Sequence, residues 1–248
     1  MYTFITIVAA IILTIVIVWL INKFVSAKAK PFILIVLWIL IGYLAYLNFM
    51  NIYEPIQFEK VKKERYALAI KNLRDLRAAE LAHRQVTGKF EKNFDSLVKF
   101  IDTAQFTITQ RRDSSIIDKE LTRRYGVPTT KEIIIIDTLG FVPVKDSLYG
   151  SSNRYKTMIN LPKGAAKEGT KFTMDAGFIE RNNIQVPVFE VKVDKSDILF
   201  EEKYKDLVEQ EKEVVSVEGV NGPFLKVGSM DEVNTNGNWP KFYDTKKE

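Results

Sequence analysis

The chain has 248 residues, 46% of them apolar, with 36 Lys+Arg against 31 Asp+Glu, one histidine and no cysteine. The missing cysteines exclude a disulfide framework, a thiolate zinc site and a cysteine nucleophile, and the single histidine excludes any multi-histidine metal centre. The averages conceal a division: 41 of the first 53 residues are apolar and only Lys23, Lys28 and Lys30 are charged there, so the remainder is nearly balanced and no basic domain suggests nucleic acid.

Met1 to Ile21 and Pro31 to Tyr53 carry no charge, and each supplies the roughly 20 apolar residues that an α-helix needs to cross about 30 Å of hydrocarbon. Both read as transmembrane helices, spanning about 1–21 and 31–53. The linker Asn22 to Lys30 reads as the turn of a helical hairpin that occupies residues 1–53. A cleaved signal peptide is a poorer reading of the first span, which has no basic n-region and too long an apolar run. Trp19 and Tyr53 are placed for the interfaces, and Pro31 opens the second helix where its missing N–H costs nothing.

Sidedness is contested by the charges. Three lysines in the turn face six basic residues after the second span (Lys60, Lys62, Lys63, Arg65, Lys71 and Arg74), and the raw count favours a cytoplasmic domain. Glu54 beside the span, the uncharged N-terminal tail and the absence of cysteine favour the opposite side. The expectation is a multi-pass inner-membrane protein with a periplasmic C-terminal domain. Neither span carries an ionisable group, which argues against a pump or proton relay. Asn48, the most polar side chain within them, is expected to be solvated at the interface or bonded to a partner helix.

Glu54-Pro55 is expected to break the second helix. A further helix then runs from about Gln57 to Thr87 and ends at Gly88, with the apolar stripe Tyr66, Ala69, Ile70, Leu73, Leu76, Ala79 and Ala82 or His83. Its other face, Lys63, Arg74, Asp75, Arg77, Glu80 and Arg84, reads as solvated. Asn93 caps a short helix, Phe94 to Asp102, with Phe94, Leu97, Val98 and Ile101 inward. These elements make 54–104 a helical segment of the extra-membrane domain.

Residues 105–248 read as the β-rich remainder of the same domain. Ala104 to Thr130 is expected to be exposed and partly helical over Ile116 to Tyr125, and its basic pairs Arg111-Arg112 and Arg123-Arg124 to be solvated or to meet lipid headgroups or an acidic partner. Strands are expected at Glu132 to Asp137, Phe141 to Val144, Lys156 to Leu161, Lys171 to Ile179, Val186 to Val193, Glu213 to Val217 and Phe224 to Val227, with one helical interruption at Asp197 to Glu211. The recurring phrases at Asp137, Asp146 and Asp197 suggest strand-boundary turns in which Asp caps the next amides. The fold class is thus a membrane-anchored α+β protein: an N-terminal transmembrane helical hairpin, then a long helix packed on a mostly antiparallel sheet.

Motifs for chemistry are sparse. His83 lies on a helix with no nucleophile motif near it and reads as a surface or partly packed histidine. The tail Glu232-Val-Asn234-Thr-Asn236-Gly237-Asn238 imitates the start of a calcium loop, but its twelfth position is Tyr243 instead of a bidentate carboxylate, so a turn at Asn236-Gly237 is preferred. Gly164 to Gly169 lacks the Gly-Lys-Ser/Thr ending of a phosphate loop and reads as a connector. No catalytic residue, metal ligand or cofactor-binding residue is assigned, and no cofactor is expected.

The stretch from Leu73 through Gly88-Lys-Phe90 to Asn93-Phe-Asp-Ser-Leu97-Val98 resembles the C-terminal half of the first helix and the following turn in type IV pilins and type II secretion pseudopilins. The chain departs from them in having no leader-peptidase site, no glutamate early in the apolar segment and a second span, so pilin function does not follow. Ile52-Tyr-Glu-Pro-Ile-Gln-Phe58 after a two-helix anchor, with Val227-Gly-Ser-Met-Asp-Glu232 and Gly237-Asn-Trp239 near the end, is similar to a group of Bacteroidota inner-membrane envelope proteins. That resemblance implies a location and no activity.

The reading is therefore a non-enzymatic, membrane-anchored scaffold or accessory subunit of a bacterial envelope assembly of the secretion or pilus-like kind. Its expected partners are membrane lipid and other integral membrane or periplasmic proteins of an envelope complex, and not nucleic acid. The alternative is a membrane-anchored periplasmic sensor that binds a ligand or peptide, with a sheet edge near Val186 to Val193 open to an added strand.

Overall fold

A computed structural model describes residues 2–24, 26 and 29–244. It divides into two compact units, 1–57 and 58–248. In the first unit lies α1 (Tyr2–Phe24), and α2 (Lys30–Thr87) begins there. Of the expected hairpin turn, Val25, Ala27 and Lys28 lie outside the described residues. The apolar part of α2 is long enough to cross a membrane, has a mean hydropathy of 2.3 over 18 residues, and buries none of them. The Asn48 amide donates to its own helix, at the Leu44 carbonyl 2.9 Å away.

The helix break expected at Glu54-Pro55 is not there: α2 continues through Pro55 to Thr87. Proline removes one i→i−4 hydrogen bond and strains the preceding turn, a local cost of about 3 kcal/mol. Good helix formers on both sides outweigh it. The far end stops as the sequence indicates, with Gly88 at φ +81° accepting the left-handed turn that an L side chain resists.

In the second unit the stripe Tyr66, Ala69, Ile70, Leu73, Leu76, Ala79 and Ala82 is buried throughout. It shares one core with Leu97 and Ile101 of α3 (Phe94–Thr103) and with Phe189, Val191, Val193, Leu225 and Val227 of a three-stranded antiparallel sheet, β3 (Thr173–Arg181), β4 (Ile184–Asp194) and β5 (Phe224–Gly228). Asn93 caps α3 by accepting the Asp95 and Ser96 amides. Asn182 and Asn183, both at positive φ, make the two-residue turn that joins Arg181 to its partner Ile184. At the end of β5 a Cβ on Gly228 would lie 2.2 Å from the Phe189 carbonyl oxygen, so that position admits only glycine.

A second sheet is a two-stranded antiparallel ribbon of β1 (Gln105–Ile117) and β2 (Thr130–Pro143), joined through α4 (Lys119–Tyr125). It corrects several expectations. Gln105–Ile117 is a strand and only Lys119–Tyr125 is helical. Glu132 to Asp137 and Phe141 to Pro143 belong to one strand, which bulges opposite Ile108 and Thr109 where Leu139 has no partner. After it come α5 (Val144–Tyr149), α6 (Lys195–Ile198) and α7 (Lys205–Lys212), so the helical interruption expected at Asp197 to Glu211 is split. Asp137, Asp146 and Asp197 sit inside β2, α5 and α6, not at strand boundaries.

Two expected strands are absent among the described residues. Lys156 to Leu161 holds the end of a 3-10 turn and one bridge, Asn160 to Lys171, because Asn72 on α2 captures its carbonyls at Met158 (3.2 Å) and Asn160 (2.8 Å). Glu213 to Val217 is a turn-rich loop. The edge expected near Val186 to Val193 is closed over Glu190 to Val193, where β4 pairs with both β3 and β5, whereas Val186 to Phe189 pair with β3 alone.

The face of α2 read as solvated is largely occupied by docked segments. Arg154 binds Asp75 (2.7 Å), Arg74 binds Asp244 (2.8 Å) and the Tyr243 carbonyl, and Arg77 donates to Asn236 (2.9 Å). Lys63 and Arg84 remain exposed. Glu80 is fully buried: its Oε2 accepts the Glu91 amide at 3.0 Å, whereas its Oε1 has no partner among the described residues. Burial pushes its pKa up to about 8, the Glu91 amide opposes this, and the Glu91 charge adds to it.

Because the folded state then holds a proton that the unfolded chain releases, stability falls as pH rises from the ordinary carboxylate range through about 8. Glu80→Gln is expected to flatten that decline and to raise the melting temperature at pH 8. Thermal unfolding of both chains between pH 5 and 9 checks it, and identical slopes would contradict the burial argument.

Candidate functional site

A polar constellation of the second unit forms where one stretch of α2 meets α7 and the loop after it. Helical spacing puts Glu59, Lys62, Lys63 and Tyr66 on neighbouring turns of α2. Opposite them stand Glu211 of α7, the loop residues Val217 to Val220, and Pro240, Phe242 and Tyr243 near the C-terminus; together they line an open cleft of about 510 Å³.

The floor of the cleft is ionic. Lys62 Nζ lies 2.9 Å from Glu211 Oε2 and also contacts Glu59. Lys195, at the start of α6 and fully buried, donates to the Glu211 carbonyl, to Glu211 Oε1 at 3.3 Å and to the Val220 carbonyl at 2.7 Å. The Tyr66 hydroxyl donates to Glu211 Oε1 at 3.4 Å. Burial opposes the Lys62 ammonium, but its hydrogen bonds to Glu59 and Glu211 outweigh that and leave its pKa raised. For Lys195 burial wins and the pKa is lowered, although Glu211 offsets part of the penalty. Both tyrosines are pushed up, Tyr66 by burial and the Glu211 charge, Tyr243 by burial and the charges of Glu59 and Glu211.

This arrangement holds segments together. An ammonium that donates three hydrogen bonds has no lone pair with which to attack a carbonyl, so Lys195 is engaged as a clamp. Its two carbonyl acceptors, on Glu211 and Val220, tie α7 and the loop after it to the end of β4. Tyrosines whose pKa is raised this far do not serve as bases near neutrality. The cleft therefore offers an aromatic and ionic wall, Tyr66, Tyr243 and Phe242 beside Lys62 and Lys63.

Other residues singled out by sequence are also accounted for structurally. His83 is buried: its Nδ1 lies 2.7 Å from the Lys89 carbonyl, to which it donates, and its ring meets Phe100 edge-on at 4.7 Å. Thr87 donates to the His83 carbonyl at 2.7 Å, so the pair closes the end of α2. The calcium-like tail is a staple along β5: Asn236 accepts the Gly228 amide (3.0 Å), and Asn238 accepts the Lys226 amide (3.0 Å) while donating to Phe224 (2.7 Å) and Asn221 (2.8 Å). No group of three or more His, Cys, Asp or Glu suited to a metal ion occurs among the described residues. Of the basic pairs, Arg112 binds Asp137 across the ribbon and Arg123-Arg124 closes α4. The Lys62–Glu211–Lys195 cluster went unrecognised in the sequence, where Lys62 and Glu211 stand 149 positions apart and the three share no motif.

No protein family, no curated protein and no solved structure matches this chain.

Removing one partner of a buried, hydrogen-bonded ion pair leaves the other charge uncompensated, at a cost of about 3–5 kcal/mol. Lys195→Ala is expected to destabilise the second unit on that scale, while Lys63→Ala, on the exposed rim, changes stability by less than about 0.5 kcal/mol. Denaturant unfolding of the full chain in detergent measures both. Equal effects would remove the clamp from the account.

Proposed function

We propose that the protein is a non-enzymatic, membrane-anchored scaffold or accessory subunit of a bacterial envelope assembly. The observation that carries the reading is the apolar part of α2: 18 consecutive residues of mean hydropathy 2.3, none buried, in a chain whose other unit has its own complete core. Side chains such as Leu34, Trp38, Ile39 and Phe49 are 60–67% exposed and have no water-compatible place without lipid or a partner. The uncharged segment Tyr2 to Ile21 is read as a second span, with Trp19 and Lys23, whose ammonium lies 4.6 Å from the indole, at an interface.

The scaffold role draws on the second unit. Its buried ionic groups, Lys195, Glu211, Glu190 and Glu80, are engaged in fastening loops or neighbouring strands, as Glu190 is between Lys192 (2.6 Å) and Lys226 (2.7 Å). The resemblances to secretion pseudopilins and to Bacteroidota envelope proteins point to the same setting, with the C-terminal domain in the periplasm. A second reading, a ligand-binding sensor, is favoured by the open cleft over Lys62 and Glu211.

Mild detergent extraction followed by cross-linking and mass spectrometry tests the scaffold. The chain is expected to resist carbonate extraction from membranes and to migrate well above 28.5 kDa with envelope proteins in fixed ratio. A reporter active only in the cytoplasm, fused after Glu248, is expected to be silent. Release by carbonate as a free protein would overturn the anchor, and an active reporter would overturn the sidedness.

A further inference from the structure

We propose that two copies of this chain associate through the outer edge of β2, forming a continuous four-stranded sheet β1–β2–β2–β1 centred on Ile134. A two-stranded ribbon is marginal in water, and this one carries a long strand whose outer edge receives no backbone hydrogen bond from elsewhere among the described residues. The strand holds four consecutive isoleucines, Ile133 to Ile136. Ile134, Ile136, Leu139 and Phe141 are 49%, 66%, 63% and 63% exposed, all on β2. An unpaired, apolar edge of this length is a template for strand addition.

The two edges of the ribbon differ in what they admit. The outer edge of β1 has Arg111, Arg112 and Asp113 at its middle, so a second β1 would bring three consecutive charged residues of each copy into the centre of the pairing. The middle of β2 is uncharged, and its flanks are Lys131 and Glu132 on one side and Asp137 on the other.

Symmetry then selects the register. A two-fold axis that pairs antiparallel strands within one sheet stands perpendicular to it, so opposed residues must share a face and the axis must pass through a residue. Centring on Ile133 opposes Lys131 to Ile135, and centring on Ile135 opposes Lys131 to Leu139. Centring on Ile134 opposes Lys131 to Asp137 of the second copy, twice, with Ile133 against Ile135 between them, while on the other face Ile134 meets its own copy and Glu132 meets Ile136. Asp137 is held on that face by Arg112 across the ribbon, with 41% of its side chain exposed to receive the lysine. The partner is thus a second copy because the edge complements itself in charge through Lys131 and Asp137 on one face and in apolarity through Ile133 to Ile135. This association does not depend on the scaffold reading.

The absence of cysteine makes the test direct. Directly opposed residues of antiparallel strands have Cα atoms about 4.5–5.5 Å apart, within the reach of a disulfide. In the full chain in detergent, Ile134→Cys is expected to oxidise readily to a reductant-sensitive dimer. Ser115→Cys, on the opposite edge of the ribbon, is expected to stay monomeric under the same oxidant. Adding Lys131→Asp to Ile134→Cys is expected to slow dimer formation about tenfold, since two favourable cross-strand pairs become repulsive, whereas Lys131→Arg preserves the rate. Ile134 and Lys131 are exposed, so circular dichroism should confirm an unchanged fold in each variant. Equal oxidation at positions 115 and 134 would overturn the proposal. So would an environment-sensitive dye on the introduced thiol of Ile134→Cys that reports insertion into anionic vesicles while the chain fails to cross-link.

Discussion

The second unit depends on one constraint, the requirement that α2 bury its stripe from Tyr66 to Ala82. Each of these side chains is inaccessible to water, and the small alanines at 69, 79 and 82 allow neighbours to approach the helix closely. Fully burying a large apolar side chain contributes about 1.5–3 kcal/mol, so Ile70, Leu73 and Leu76 alone outweigh any single ion pair on the same helix. Once the stripe is covered by β4, β5 and α3, the polar side chains to either side of it lie close to loops. Arg65, Asn72, Arg74, Asp75 and Arg77 each take hold of a different distant segment. The helix thus organises the domain twice, by its apolar stripe and by a set of side-chain anchors around it.

Burying charge beside that core is costly, and the two places where it happens differ in outcome. Lys195 meets a carboxylate and two carbonyls, which satisfies its donors and fixes the loop from Glu213 to Val220. Glu80 has one amide for two oxygens and is left partly unsatisfied. Its burial follows from the turn after Gly88, which brings Glu91 back over the helix. Both groups are explained as consequences of loop placement, and neither needs a substrate to account for it.

Much of this domain was legible in the sequence where local pattern and burial agree. The stripe at three- and four-residue spacing, the stop at Gly88, the cap at Asn93 and the strands at Val186 and Phe224 each stand where expected. The failures share a cause. Gln105 to Ile117 is a strand with little buried on either face, and after the short alternation Phe106-Thr-Ile108 its polar run Gln110 to Ser115 carries no apolar pattern to announce it. Lys156 to Leu161 has strand-forming residues, yet Asn72, more than 80 positions away, claims its carbonyls. Glu80 belongs by spacing to the polar face and is buried by a turn that the helix pattern does not encode. Asn182-Asn183 did carry a readable turn signal, since asparagine tolerates positive φ better than most residues. The candidate site was the least legible part, because Lys62, Lys195 and Glu211 come together only through tertiary structure.

The direct test of the central role of α2 is hydrogen–deuterium exchange of the full chain in detergent. Amides from Tyr66 to Ala82 should exchange as slowly as those of Val188 to Val193, through global unfolding alone, while the ribbon Gln105 to Pro143 exchanges much earlier. If Tyr66 to Ala82 exchanged at the rate of the ribbon while β4 stayed protected, the helix would not be what holds this domain together.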